Sequence, residues 1–203
     1  SLQLNTTGSY NVSIGGYNLT ANTTGIENVA VGYQALKSNT IGIDNVSLGF
    51  RSLCGNTTGY NNVAIGNESL SQNSTGIDNV AIGWNSLVKN TTAQQNTAVG
   101  TMALACNTVG CDNVAIGSRA MCANTTGNLN VSVGRSALRA NTTGKCNTAI
   151  GALALTTNTT GFYNTGIGYQ ALTTNSCGNC NTGVGYRALA QNTTGNNNTA
   201  VGL

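Results

Sequence analysis

The chain places its apolar residues at fixed positions of a 17-residue repeat that runs from end to end without an insertion or deletion. Counting from Asn5 as slot one, the consensus is N-T-T-G-x-x-N-V-A-I-G-x-x-A-L-x-x, repeated eleven times with a partial twelfth copy. Slots eight and ten are Val, Ile, Leu or Thr, and slot fifteen is Leu except at Met121. Each repeat of such a short period forms one small unit, which buries its apolar residues by stacking on its neighbours.

Slots eight and ten alternate across slot nine and are mostly β-branched, which predicts a short β-strand. Gly at slots four and eleven argues against a helix and fits corners of positive φ. We therefore predict an all-β fold, a parallel β-solenoid (β-roll) of about twelve coils with one 17-residue repeat per coil. Slots eight to ten and thirteen to fifteen are each expected to form a strand. At ~4.8 Å per coil, the single continuous array of residues 1–203 would be on the order of 55 Å long.

The same alternation predicts that slots eight, ten and fifteen point inward, with the slot-ten column least accessible to solvent. The predicted core residues are Val31, Leu36, Ile65, Leu70, Ile82, Leu87, Ile116, Ile150 and Leu172. Slot nine holds only Ala, Ser or Gly. Two interpretations of this column remain open, namely close approach by a second chain and a tight bend within the coil.

Slots one and seven are Asn in all twelve copies. Because stacked Asn side chains hydrogen-bond along a fibre axis, we predict two Asn ladders that also bond to loop backbone. They include Asn28, Asn45, Asn62 and Asn79 in slot seven and Asn56, Asn73 and Asn90 in slot one. Nine slot-one residues also begin Asn-x-Ser/Thr glycosylation sequons: Asn5, Asn22, Asn56, Asn73, Asn90, Asn124, Asn141, Asn158 and Asn192. We expect the structural role to prevail over glycosylation at these positions.

Composition narrows the function classes. Charged residues make up 6% of the chain, Pro and His are absent, and the net charge is +3. The charges are scattered, which argues against nucleic-acid binding, and no apolar run approaches the ~20 residues of a membrane span. Without His there is no ordinary catalytic triad and no imidazole metal site. We therefore expect no enzymatic activity, no cofactor, no nucleic-acid partner and no membrane insertion.

Four acids share slot six, namely Glu27, Asp44, Asp78 and Asp112. Stacked along one edge, they are candidate ligands for Ca²⁺, which takes several oxygen ligands. The Gly-Asp nonapeptide of calcium-binding β-rolls is absent, however. We therefore interpret the row as a solvated edge and assign no metal.

The seven cysteines suggest two disulfides. Cys106 and Cys122 fall on successive coils, close enough to form a disulfide, and Cys177 and Cys180 form a C-x-x-C motif. The alternative for the second pair is two free thiols. Cys54 has no stacking partner and is expected to be free or to pair between chains.

The N-V-A-I-G segments at residues 28–32, 62–66, 79–83 and 113–117 resemble the head repeats of trimeric autotransporter adhesins. The N-T-T-G and G-Y-Q-A-L strings (residues 32–36 and 168–172) are similar to repeats of some phage and virus tail-fibre proteins. The resemblance implies a β-roll, often trimeric, displayed outside the cell or on a virion for attachment or as a spacer. The adhesin head repeat is shorter than the repeat of this chain.

Two functions follow as hypotheses. The first is a structural protein of the cell or virion surface that forms a rod, fibre or filament. Its expected partners are copies of itself, end to end or in trimers, and host-surface glycans or proteins. Slot-twelve aromatics are expected to be exposed for such contacts: Tyr33, Phe50, Trp84, Tyr169 and Tyr186. Because Ser1 and Leu203 both fall mid-repeat, we expect end-to-end association or a longer array.

The second hypothesis is an ice-binding solenoid. Thr occupies slots two and three in most repeats, as at Thr6 and Thr7, and would form long ladders of hydroxyl and methyl groups. Adjacent residues of one strand face opposite sides, however, so both columns cannot lie on one flat face.

Overall fold

The computed structural model describes residues 1–202, and Leu203 lies outside the described residues. Slots eight to ten of every repeat form one three-residue strand, and the twelve strands make a single parallel sheet in chain order. Each residue pairs with the residue 17 positions later, as Val12 does with Val29. This is the predicted parallel β-solenoid. The strands are β1 (Val12–Ile14), β2 (Val29–Val31), β3 (Val46–Leu48), β4 (Val63–Ile65), β5 (Val80–Ile82), β6 (Thr97–Val99), β7 (Val114–Ile116), β8 (Val131–Val133), β9 (Thr148–Ile150), β10 (Thr165–Ile167), β11 (Thr182–Val184) and β12 (Thr199–Val201).

The predicted second strand at slots thirteen to fifteen is wrong, because this segment is a turn. Slot-thirteen residues have φ of 51–61° and slot-fifteen residues 45–52°, the left-handed region. The backbone N–H groups of slots thirteen and fifteen point in opposite directions along the solenoid axis. Gln34 N donates to Gly16 O of the preceding coil at 2.8 Å, and Leu36 N donates to Ser52 O of the following coil at 3.2 Å. The turns are therefore joined from coil to coil by backbone hydrogen bonds, much as the strands are.

The interior of the coil is lined by slots nine, fourteen and fifteen. The slot-fifteen Leu column is fully buried from Leu19 to Leu172, with Met121 in line, and the slot-nine Ala side chains of the inner coils are also fully buried. A Cβ added to Gly166 would lie 3.3 Å from Leu155 Cγ, so slot nine packs on the Leu of the preceding coil. The core is thus a column of Leu behind a column of methyl-sized side chains.

The predicted orientation of slots eight and ten is wrong, because they face solvent. Ile82 is 36% exposed and Ile116 and Ile150 are each 40% exposed, whereas Ala81 between the two columns of β5 is fully buried. The Leu column leaves room for only a small side chain behind the strand, so the larger β-branched residues turn outward. Of the predicted core, Leu36, Leu70, Leu87 and Leu172 are buried, Val31 and Ile65 are partly exposed, and Ile82, Ile116 and Ile150 are exposed. Slot nine is therefore small because the coil is narrow, and a second chain is not required to explain it.

The two corner glycines serve different purposes. At slot eleven φ is 120–137°, which favours Gly as predicted. Slot-four Gly has no positive φ, and the reason for Gly is space. A Cβ on Gly25 would overlap Asn22 Oδ1 and the carbonyl oxygen of Gly42. Slot four must therefore be small so that the Asn columns can run beside the backbone.

Slot-seven Asn forms the more extensive of the two ladders. Each Nδ2 donates to Oδ1 of the Asn in the preceding coil at 3.1–3.2 Å, in eleven successive links. The backbone N–H of the same residue donates to the same Oδ1 at 2.9–3.1 Å. The second hydrogen of each Nδ2 is donated to a slot-four carbonyl oxygen of the following coil. Asn28 Nδ2, for example, donates to Gly42 O at 2.8 Å. The buried amide thus donates both Nδ2 hydrogens and accepts hydrogen bonds at Oδ1.

Slot-one Asn forms the second ladder. Its Nδ2 donates to Oδ1 of the preceding coil at 2.8–3.2 Å. The other Nδ2 hydrogen is donated to the slot-four carbonyl oxygen of the same coil. Asn124 Nδ2, for example, donates to Gly127 O at 3.0 Å. The ladder continues past Ala93, the one slot-four residue other than Gly, where Asn107 Nδ2 reaches Asn90 Oδ1 at 3.2 Å. Both Asn columns therefore bond along the axis and to loop backbone, as the sequence predicts.

The burial pattern predicts opposite effects for neighbouring substitutions in β5. Ala81→Asp places an unpaired carboxylate in the fully buried column and should destabilise the fold by about 3 kcal/mol or more. Ile82→Asp, one residue further, adds the same group on the exposed side and should change the free energy of unfolding of the single chain far less. Urea unfolding of both variants at low protein concentration measures the difference. Equal destabilisation would contradict the assigned orientation of the strand.

The ladder predicts a large cost for losing a single amide. Asn113→Ala removes the acceptor of both Asn130 N and Asn130 Nδ2, and each buried donor left unpaired costs about 1–3 kcal/mol. The matched control is Asn67→Ala, since Asn67 is exposed and lies outside both ladders. Thermal unfolding should show a clearly lower Tm for Asn113→Ala only. Similar Tm values for the two variants would show that the ladder contributes little.

Candidate interaction surfaces

Slots eight and ten of the twelve strands form one continuous outer surface, which we call the sheet face. It consists of two columns about 7 Å apart, with rungs spaced by ~4.8 Å along the axis. No charged residue occurs at either slot in any repeat. Exposed members include Leu48, Ile82, Ile116 and Ile150. Large contiguous apolar patches on a soluble surface mark sites of interaction, so the sheet face is the leading candidate site.

The sheet face changes in character along the rod. Slot eight is Val in the first five strands and in β7 and β8, so both columns there are aliphatic. Strands β9 to β12 carry Thr instead, at Thr148, Thr165, Thr182 and Thr199, beside Ile or Val at slot ten. Four successive rungs therefore present one hydroxyl and aliphatic methyl groups at regular spacing.

The hydroxyls of the slot-two column, which the ice-binding hypothesis uses, are engaged in hydrogen bonds within the solenoid. Each slot-two hydroxyl donates to the slot-two carbonyl of the following coil at 2.9–3.1 Å. These hydroxyls therefore form a third axial ladder. Slot-three residues are exposed, and Ile41 and Val109 replace Thr there.

Aromatic side chains of slot twelve stack beside the sheet face. The ring centroids of Tyr33 and Phe50 lie 5.8 Å apart with planes 9° from parallel. Tyr169 and Tyr186 stack similarly at 5.6 Å and 15°. These rings and Trp84 are exposed, as expected. Axial stacking therefore orders these exposed rings along the rod.

A second aromatic site lies at slots five and six. Phe162 and Tyr163 meet edge to face at 5.6 Å and line a groove of about 370 Å³ with Lys145, Cys146 and two Thr residues. This site was not predicted, because Phe162 and Tyr163 stand at slots that are not aromatic in most repeats. Two adjacent aromatics in one repeat were the available signal.

The four slot-six acids do not converge on a cation site. Glu27 and Asp44 are neighbours, and a hydrogen bond from one carboxyl to the other together with their mutual repulsion raises the pKa of Glu27. Asp78 accepts a hydrogen bond from Asn61 Nδ2 at 3.1 Å, and Asp112 lies two coils further along. Within residues 1–202, no three His, Cys, Asp or Glu side chains cluster closely enough to hold a metal ion.

All seven cysteines lie within the described residues and are free thiols, so neither predicted disulfide is present. Cys106 and Cys122 are nevertheless neighbours on successive coils, where Cys106 N donates to Cys122 O at 3.0 Å. Burial, with a smaller effect of the nearby Cys106 thiol, raises the pKa of the Cys122 thiol. Cys177 and Cys180 are both exposed, and Cys54 Sγ donates to Ser71 O at 3.4 Å. An intermolecular bond through Cys54 stays a prediction.

Comparisons of the chain with protein-family models, curated proteins and solved structures found no match. Among residues 1–202 there is no helix with the length and apolar character needed to cross a membrane. Function is therefore inferred from the exposed surfaces of the chain.

Proposed function

We propose that this chain is a non-enzymatic structural protein that forms rods, fibres or filaments outside the cell or on a virion surface. The observation that carries the proposal is the sheet face, an uncharged and largely aliphatic surface that is at least partly exposed along every coil of the rod. The resemblance to adhesin heads and tail fibres supports the same role.

The occupant that best fits the sheet face is a second copy of the chain. Every copy presents ridges at the same ~4.8 Å spacing and with the same 17-residue period, so two faces match along their entire length. Burying Val, Ile and Leu side chains on such a face contributes about 25 cal/mol for each Å² removed from water. Three copies around a common axis leave none of these faces uncovered, in line with the trimers that the resemblance implies.

Lateral packing through the sheet face leaves the other sides of the rod available for attachment. The groove beside Phe162 and Tyr163 lies at slots five and six, two to three residues before the strand and beyond the buried slot-seven Asn. Aromatic rings with neighbouring hydroxyls and Lys145 suit a glycan or a protein loop. We propose host-surface glycans or proteins as the partners of this side.

Ice binding is the second candidate, and the observation that favours it is the Thr-bearing end of the sheet face. Thr148, Thr165, Thr182 and Thr199 stand on four successive rungs of the parallel sheet. The ice-binding surface would then lie at slots eight and ten. Slots two and three are less suitable, because the slot-two hydroxyls are engaged in the axial ladder.

Charges on the sheet face should abolish association without unfolding the chain. Ile82→Lys combined with Ile116→Lys places two ammonium groups at exposed positions on the face and should produce a monomer. The matched control, Thr126→Lys at exposed slot three, should associate like the parent. Sedimentation velocity across a concentration series gives the oligomeric state, and Tm at low concentration verifies folding. A parent chain that is monomeric at high concentration would contradict lateral assembly.

A freezing assay separates the two functions. If the sheet face packs on copies of the chain, the purified protein should show no thermal hysteresis. Hysteresis in the parent that disappears in Thr165→Lys, but persists in Thr126→Lys, would assign the face to ice instead.

A further inference from the structure

The Asn ladders coincide with glycosylation sequons to a greater extent than slot one alone suggests. Outside slot one, sequons also begin at Asn11, Asn18, Asn45, Asn67, Asn130 and Asn197. Ten sequon asparagines are fully buried: Asn18, Asn22, Asn45, Asn56, Asn73, Asn90, Asn124, Asn130, Asn141 and Asn158. Nine of these ten belong to one of the two ladders, and Asn18 stands alone at slot fourteen.

Each interior ladder amide uses both of its Nδ2 hydrogens. Asn124 donates one to Asn107 Oδ1 at 2.8 Å and the other to Gly127 O at 3.0 Å. N-glycosylation forms a bond between Nδ2 and the anomeric carbon of the sugar. It breaks the bond from that carbon to the diphosphate of the lipid carrier and releases one amide proton. One of the two hydrogen bonds is therefore lost, which alone lowers the folding equilibrium constant about tenfold or more.

The sugar also has no space in the folded array. Asn124 is fully buried, with the slot-one Asn of both neighbouring coils in hydrogen-bond contact with it. A glycan at this nitrogen would have to displace the adjacent coil. The modified side chain and the stacked repeat are thus incompatible both sterically and in hydrogen bonding.

We infer that a glycan on an interior ladder asparagine and the folded array exclude one another. The chain is consequently made where no oligosaccharyltransferase reaches it before it folds. Burial gives no protection in a glycosylating secretory pathway, because transfer there occurs on the unfolded nascent chain. An extracellular or virion-surface location must then be reached by a route that avoids this modification.

Asn67 is the interior sequon that the fold can carry. It stands at slot twelve in the sequence Asn67-Glu68-Ser69, its side chain is exposed, and it belongs to neither ladder. A glycan here would extend into solvent from the corner beside the sheet face. The structure assigns Asn67 as the position between the end coils that tolerates N-linked sugar, and Asn197, exposed at slot six of the last coil, is the other exposed sequon outside the ladders.

The chain supplies a matched control for the test. Slot three is Ile41 and Val109 in two coils, so Thr→Val at this slot removes a sequon while keeping the ladder Asn. Slot sixteen is Val88 in another coil, which allows Thr20→Val, and slot nine is usually Ala, which allows Ser→Ala. The sequon-silent variant, with only the Asn67 sequon left, carries Thr7→Val, Ser13→Ala, Thr20→Val, Thr24→Val, Ser47→Ala, Thr58→Val, Thr75→Val, Thr92→Val, Thr126→Val, Ser132→Ala, Thr143→Val, Thr160→Val, Thr194→Val and Thr199→Val.

The experiment directs the parent and the sequon-silent variant through a eukaryotic secretory pathway, with and without an inhibitor of oligosaccharyltransferase. Bacterially made protein serves as the folded reference. We expect the untreated parent to be retained with glycans on ladder asparagines, and the inhibited parent to be secreted with the reference Tm. The silent variant should be secreted with one glycan, on Asn67.

Three outcomes would overturn the inference. One is secretion of the untreated parent with the reference Tm, whether or not its ladder residues carry sugar. Another is retention of the parent under inhibition together with the silent variant, which would show that glycans are not the obstacle. A silent variant glycosylated at Asn67 that fails to reach the reference Tm, although its bacterial counterpart does so, would overturn the assignment of Asn67.

Discussion

The axial hydrogen bond between slot-seven amides is the interaction on which the rest of the structure depends. One Oδ1 accepts both the side-chain and the backbone N–H of the next Asn, so it sets the distance and the register between coils together. Asn alone suits this position, because Asp lacks the donors and Gln places its amide one carbon further out. The strict 17-residue period follows, since an insertion would remove an Asn from its column. Slot-four Gly follows as well, because its carbonyl receives the remaining amide hydrogens and its Cα must lie against them.

The ladders also explain how the coil sustains strained backbone. Three residues in most repeats, at slots six, thirteen and fifteen, adopt the left-handed conformation without being Gly. Each such residue costs about 1–2 kcal/mol and persists only where its surroundings fix it. At slot fifteen the compensation is a Leu side chain in the core, which Gly could not provide. At slot six the strained residue immediately precedes the ladder Asn and directs that Asn inward. Its own N–H bonds the preceding coil, as Glu27 N does to Ser9 O at 3.1 Å.

The sequence predicted the solenoid, the period, the strand at slots eight to ten and both Asn ladders, because these depend on invariant residues at fixed spacing. It could not give the orientation of the strand. A period of two separates Ala81 from Val80 and Ile82, but both sides are apolar, so hydrophobicity does not say which side is inside. Side-chain size decides which side faces inward, because Leu87 and its neighbours fill the coil and leave space only for the small slot-nine residue. The turn at slots thirteen to fifteen was hidden for a related reason, since residues such as Gln34 and Leu36 are not typical of left-handed backbone. Assigning slots eight and ten to the core also concealed the sheet face.

In this architecture the fully buried core and the outer apolar columns are two separate sets of residues. Within a coil, Leu and Ala fill the interior and the Asn amides satisfy one another, while the outer columns stay partly exposed to solvent. Ile82 and Ile116 are 36% and 40% exposed, yet no rung of the twelve places a charge or an amide at either outer slot. Slots five, six, twelve and thirteen vary freely between charged, aromatic and small residues on the same coils. A solvent-facing position released from structural constraint would vary in the same way. Slots eight and ten stay within Val, Ile, Leu and Thr although they face solvent, and this contrast within a single chain supports the proposed partner at the sheet face.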